Sequence, residues 1–368
     1  MNLCVGDRDR SSDPSVRVRT GSNPPGTLAD RPSGRVGRKL RPHGLRSRLG
    51  VGCVLLAATT LTFAFAACGG DSVRPKQPLI VYESRDAQKA TNVWTVDADT
   101  RAAKQLTFGT RFDGNPGWSP DHARIIFSSD RDSDPGKNDL YTMSASGGDV
   151  RRLTNTPDVS EWSAKFSPDG KRVVYVANTN DGWHLSLAGA DGSDQQHVAG
   201  PYKFAEFPSW RRDGVEVYFS AIAQDRNDAD IYSYDMATHA VQTRISTPAA
   251  DVCPHFTRNG QTLIYATAAP GDEKNIDLFA HDLSSDDASG AHDVRLTDDP
   301  GVDDYGNPSP DDKSIVFISN REAPGETYSE DPNAPGAGNN DLYLMDRDGK
   351  HQRRLTDTPD ARENVPDW

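Results

Sequence analysis

The chain has 368 residues, with 41 Lys and Arg against 54 Asp and Glu, a net charge of −13. Residues 1–67 hold eleven basic and four acidic side chains, a surplus of +7, which leaves −20 on residues 68–368. A body this acidic repels phosphate backbones and argues against a nucleic-acid partner. A hydrophobic content of 35% with 31 Gly and 25 Pro argues against long amphipathic helices and for short strands and turns.

In chain order, residues 1–37 read as a disordered basic leader, rich in Arg, Ser, Pro and Gly without apolar periodicity. It is long for a targeting segment, and a translation start near Val36 would remove it. Residues 38–67 have the form of a secretory signal: Arg38 to Arg48 supply a basic region, and Leu49 to Ala67 carry no charge. The ending Phe65-Ala66-Ala67-Cys68 resembles a bacterial lipobox, with Phe65 where Leu is usual, and makes Cys68 the expected lipidation site. An uncleaved anchor and plain secretion are the alternatives. All place the body outside the cytoplasm, and the first attaches it to the cell-envelope membrane through lipid alone. Residues 68–77 form a tether. With Cys4 and Cys53 in the leader and Cys68 acylated, only Cys253 is left, so no intramolecular disulfide is expected.

Residues 78–368 repeat. An aliphatic followed by a small residue recurs at Leu106-Thr107, Leu153-Thr154, Val198-Ala199, Ile245-Ser246, Leu296-Thr297 and Leu355-Thr356, with spacings of 47, 45, 47, 51 and 59. An aromatic before a turn opens each unit: Trp118-Ser119-Pro120-Asp121, Phe166-Ser167-Pro168-Asp169, Trp210-Arg211-Arg212-Asp213 and Phe256-Thr257-Arg258-Asn259. Pro308 replaces the aromatic in the fifth copy, and Trp368 stands alone as the sixth. β-Rich runs such as Ile125–Phe127 and Leu140–Met143 follow. Four short strands per unit is the pattern of a propeller blade. The first unit lacks its opening strand and the last ten residues supply one. The expected fold is therefore all-β: a six-bladed β-propeller of four-stranded antiparallel blades, closed by the C-terminal strand joining the first blade.

The Trp-Ser-Pro-Asp turn, the Asp-Leu-Tyr strand and the Arg-Leu-Thr end resemble the WD-like propeller repeat of the TolB family of bacterial periplasmic proteins, over about residues 78–368. TolB itself has a separate α/β domain ahead of its propeller, for which there is no room between Cys68 and Leu79. The resemblance is specific for fold and not for chemistry.

Five residues before each opening aromatic stands a carboxylate: Asp113, Glu161, Asp251, Asp303 and Glu363, with Glu206 beside Ala205 in the remaining copy. Symmetry places them in one circle, expected to rim a channel mouth. Such a circle suits a basic protein segment or a hard cation, Ca²⁺ or Mg²⁺; the alternative is that the carboxylates only tie loops together. Tyr202, Phe204 and Tyr305 are candidate partner-contact aromatics, with packing between blades as their alternative. Asp130 to Gly136 imitates a calcium loop but lacks its Gly and final Glu.

No Gly-x-Ser-x-Gly elbow, zinc motif or phosphate loop occurs. The expected function is thus that of a monomeric, envelope-anchored platform that binds a protein or peptide, needs no cofactor and is not an enzyme. A propeller-type polysaccharide lyase or glycosidase, and a purely structural lipoprotein, are the alternatives.

Overall fold

The computed structural model describes residues 79–269, 272–285, 287–322 and 339–368. The leader, the signal segment, Cys68, the tether and most of the Glu322–Asn340 loop lie outside the described residues.

Among the described residues, twenty-four strands make six four-stranded sheets, antiparallel in every strand pairing within them. The first blade contains β1 (Ile80–Asp86), β2 (Thr91–Val96) and β3 (Ala103–Gln105). The second contains β4 (Asp113–Trp118), β5 (Arg124–Ser129), β6 (Asp139–Ser144) and β7 (Arg151–Arg152). The third contains β8 (Ser160–Phe166), β9 (Arg172–Thr179), β10 (Gly182–Gly189) and β11 (Gln196–Tyr202). The fourth contains β12 (Phe204–Trp210), β13 (Glu216–Ile222), β14 (Asp230–Asp235) and β15 (Val241–Ile245). The fifth contains β16 (Val252–Phe256), β17 (Thr262–Ala269), β18 (Asp272–Asp282) and β19 (Val294–Arg295). The sixth contains β20 (Asp303–Pro308), β21 (Ser314–Ser319), β22 (Asp341–Asp346) and β23 (Arg353–Arg354). The last strand, β24 (Ala361–Asp367), pairs with β1, setting Val81 opposite Asp367 and Arg85 opposite Arg362. It supplies the fourth strand of the first blade and closes the ring, as the repeat pattern implies. Among the described residues there is no helix.

The opening turns show why Ser-Pro-Asp-Gly recurs. Ser119 Oγ donates to Asp121 Oδ1 at 2.6 Å and accepts from Arg124 N at 2.9 Å; Ser167 and Asp169 repeat the first bond, and Ser309 and Asp311 do so at 2.8 Å. The turn then needs a left-handed residue, which is Gly170 at φ 69° and Gly260 at 67°, but His122 at 53° and Asp312 at 56°.

After the turn, the second strand runs through the interior. Its buried aromatic meets one on the third strand: Phe127 with Tyr141 at 5.9 Å, Phe219 with Tyr232 at 5.9 Å, and Phe317 with Tyr343 at 5.7 Å between ring centroids. Such directly opposed pairs stabilise a sheet. Three opening Trp residues tie neighbouring blades, donating through Nε1: Trp118 to Leu79 O at 2.9 Å, Trp210 to Lys165 O at 3.2 Å, and Trp368 to Asn307 O at 3.1 Å.

Each innermost strand also carries a feature with no counterpart in the sequence pattern. Asn115, Ser163, Phe207, Cys253, Tyr305 and Val365 all have φ between 48° and 55°. Each lies at or beside a break in the pairing register, as between Gly114 and Gly117 or Trp162 and Lys165. Every innermost strand therefore contains a left-handed bulge, which turns the residues beyond it relative to those before it.

Candidate functional site at the opening-turn mouth

The acidic positions lie at equivalent points near the start of the innermost strands. Five of them are buried, Asp251 and Glu363 completely, and only Glu206 is partly exposed. Their partners come from the preceding blade or their own. Thr154 and Thr156 both donate to Glu161, the latter at 2.8 Å. Thr356 and Thr358 do the same for Glu363, the latter at 2.9 Å. Asp251 accepts from Thr247 N at 2.7 Å and from its hydroxyl at 2.9 Å. Asp113 is held by Ser129 and, at 2.8 Å, by Arg131; Asp303 is held by Arg321, also at 2.8 Å.

The clasping threonines are doubly used. Thr154 Oγ1 also accepts from Leu140 N at 2.8 Å, and Thr356 Oγ1 from Leu342 N at 2.8 Å. The small residue of the Leu-Thr ending thus relays a third-strand amide of one blade to the carboxylate of the next. Burial pushes the carboxyl groups of Glu161, Asp251 and Glu363 up to about 7, against the lowering effect of these donors. This geometry is that of loop ties between blades. Among the described residues no group of three His, Cys, Asp or Glu side chains is arranged to hold a metal ion.

The three aromatics are also interior. Tyr202 meets Phe219 at 5.6 Å, Phe204 meets Trp183 at 4.9 Å, and Tyr305 meets Phe207 edge-on at 4.9 Å, all three buried. They pack between blades, which corrects their expected placement on partner-facing loops. The Asp130 loop is stitched to itself and to Phe112: Asp130 accepts from Phe112 N at 3.1 Å and from Gly136 N at 2.9 Å.

An open cavity of about 430 Å³ lies at the other end of the innermost strands, past the bulges, with all six blades contributing to its wall. The opening residues Trp118, Phe166, Trp210, Phe256, Pro308 and Trp368 line it, together with the residue two beyond the first five: Pro120, Pro168, Arg212, Arg258 and Pro310. Lys165 and Asp367 form an ion pair there at 3.2 Å. Asp367 also accepts from Trp118 N and from Asn307 Nδ2, each at 2.8 Å. His255 Nδ1 lies 3.1 Å from Cys253 O, which can only accept, so Nδ1 carries the proton. Burial, reinforced by the Lys165 charge, depresses its pKa to about 4, and the ring is neutral at physiological pH. The acidic-ring reading missed this mouth, although the position two beyond each opening aromatic was visible as a column of three Pro and two Arg.

Among the described residues one hydroxyl–imidazole pair stands out. Ser186 Oγ lies 2.8 Å from His197 Nδ1, but Ser186 is completely buried on a third strand, out of reach of a substrate.

Among known proteins, a family model described as TolB beta propeller domain matches residues 72–227. The uncharacterized peptidase YuxL of Bacillus subtilis is 27% identical over 209 residues, 56% of this chain and 27% of that protein. Dipeptidyl-peptidase 5 of Porphyromonas endodontalis is 23% identical over 277 residues, 70% of this chain and 38% of that protein. The chain thus spans well under half the length of these relatives. The crystal structure of TolB from Acinetobacter baumannii superposes with a TM-score of 0.63 at 17% identity, covering 79% of this chain and 66% of that one. The peptidase names overturn the expectation that the chain stands apart from enzymes: over more than half of its length, its relatives are proteins named for peptide hydrolysis. Motif searching missed this link because a propeller repeat records packing and not chemistry. The body of this chain is a six-bladed β-propeller, similar over residues 72–227 to the TolB beta propeller domain.

Proposed function

We propose that this propeller receives peptide chains at the mouth ringed by its five opening turns and Trp368, and serves peptide processing outside the cytoplasm, anchored to the cell-envelope membrane through Cys68. The observation that carries the reading is the cavity itself: about 430 Å³, walled by every blade and lined by aromatic and Pro side chains, within the size range of small-ligand pockets. The peptidase names of the relatives agree with it.

The test is retention of a randomised heptapeptide pool by the full-length protein, with mass spectrometry to identify retained peptides and any cleavage products. Ser209 lines the mouth, and Ser209→Trp fills it. The expected result is retention by the wild type and loss of retention in S209W at unchanged circular dichroism. No retention by the wild type, or equal retention by a folded S209W, overturns the reading.

A further inference from the structure

The charges at the mouth are unbalanced. Lys165 and Asp367 satisfy each other, which leaves two cationic side chains, Arg212 and Arg258. They occupy the same place in adjacent blades, the second residue after the opening aromatic, where the other turns carry Pro120, Pro168 and Pro310. Both are solvent-exposed. Among the described residues neither guanidinium has a hydrogen-bond or ion-pair partner. The nearby carboxylates do not supply one. Asp312 spends its oxygens on the backbone N–H groups of Arg258 and Asn259, at 2.5 and 3.0 Å, and Asp367 on Lys165, Asn307 and Trp118.

Arg211 provides the contrast. One position earlier in the same turn, it forms ion pairs with Asp213 at 3.2 Å and Glu216 at 2.7 Å. On a body carrying −20, two neighbouring arginines free of carboxylate partners mark a local reversal of sign. Desolvation against the cavity wall and then the charge of Arg258 both lower the Arg212 pKa, so the two cations repel each other although their side chains reach solvent.

We propose that Arg212 and Arg258 form a receptor for the free C-terminal carboxylate of a peptide, whose last side chains lie against the wall of Pro120, Pro168 and Pro310. The inference rests on the peptide-binding reading above and sharpens it. The guanidinium fork matches a carboxylate bidentately. Five opening turns and Trp368 surround the cavity, so an entering chain arrives end-on, and of its two ends only the carboxyl end complements two cations. Added salt weakens the contact, because the pair is exposed.

The experiment measures fluorescence anisotropy of N-terminally labelled heptapeptides from the retained pool, each as free acid and as C-terminal amide. Wild type, Arg212→Gln, Arg258→Gln and Arg211→Gln are compared, with inorganic phosphate as competitor. The expected result is binding at least tenfold tighter for the acid than for the amide, a loss of at least tenfold in R212Q and in R258Q, and no change in R211Q. Equal binding of acid and amide overturns the carboxylate inference while leaving peptide binding intact. So does retained acid preference in the R212Q/R258Q double variant. Displacement by phosphate at concentrations equal to those of the peptide shows a general anion site and overturns it as well. Failure of every peptide to bind overturns the peptide-binding reading itself.

Discussion

Trp368 Nε1 donates to Asn307 O at 3.1 Å, joining the last residue of the chain to the innermost strand of the sixth blade, 61 positions earlier. The same residue directly follows β24, the strand that completes the first blade. One indole therefore fastens both sides of the seam where the ring closes. It is 8% exposed.

Trp368→Ala is accordingly expected to cost about 3–5 kcal/mol, the range for emptying a large aromatic site, measured from the urea midpoint. Deleting Ala361–Trp368 removes β24 altogether and bares the edge of β1, which is a template for association between chains. The truncated chain is expected to aggregate on light scattering. A truncated chain that stays monomeric, with an unchanged midpoint, sinks the closure argument.

The threonine relay gives a second expectation. In Thr154→Val the shape is kept, but Leu140 N–H and the Glu161 carboxyl group each lose a buried partner. Stranding buried polar groups costs about 1–3 kcal/mol each. Thr107 offers an internal comparison: it accepts from Val93 N at 2.9 Å and has Asn92 at 3.4 Å as its further side-chain contact. Thr107→Val is expected to destabilise less than T154V in parallel urea titrations. The reverse order contradicts the relay.

The contrast between these two threonines shows what could be read beforehand. Blade count and ring closure were legible because turn chemistry is local: Ser119, Pro120 and Asp121 are required by bonds that close within five residues. The positions of Glu161 and Glu363 were legible for the same reason, as a fixed offset from an aromatic. Their burial was not, because it depends on Thr154 and Thr356 of the preceding blade, and a repeat pattern does not say which face a neighbour covers. The bulges were invisible for another reason. Asn115, Phe207 and Val365 share one backbone conformation and no side-chain chemistry, so ring packing must override local preference there.

The buried carboxyl groups set a pH dependence. Unfolded, Glu161, Asp251 and Glu363 would titrate near 4, and folded they titrate at about 7. Between those values the native state holds protons that the unfolded chain has released. The stabilisation is thus complete below about pH 4 and is lost as pH rises through 7. Exposed carboxylates act in a separate window. Asp121 and Asp169 are lowered by the hydroxyls of Ser119 and Ser167, so their contribution is present above about pH 4 and is lost on further acidification. The thermal midpoint is expected to fall from pH 5 to pH 8, and Glu161→Gln to flatten part of that fall. A midpoint that rises over the interval, or an E161Q curve parallel to wild type, contradicts the assignment.

Ser163 and Val365 occupy the same bulge position, at φ 54° and 48°, and separate backbone strain from packing. A left-handed conformation costs an L-residue about 1–2 kcal/mol. Ser163 also buries a hydroxyl with no partner among the described residues, a further cost of about 1–3 kcal/mol. Glycine removes both and loses about 0.5–1 kcal/mol to the greater freedom of the unfolded chain. Ser163→Gly is therefore expected to stabilise by about 1 kcal/mol or more. Val365→Gly gains the same backbone relief but gives up a core side chain that is 6% exposed, whose burial is worth about 1.5–3 kcal/mol. It is expected to destabilise. The two urea midpoints should move in opposite directions from wild type; movement of both downward would show that the bulge carries no strain for glycine to relieve.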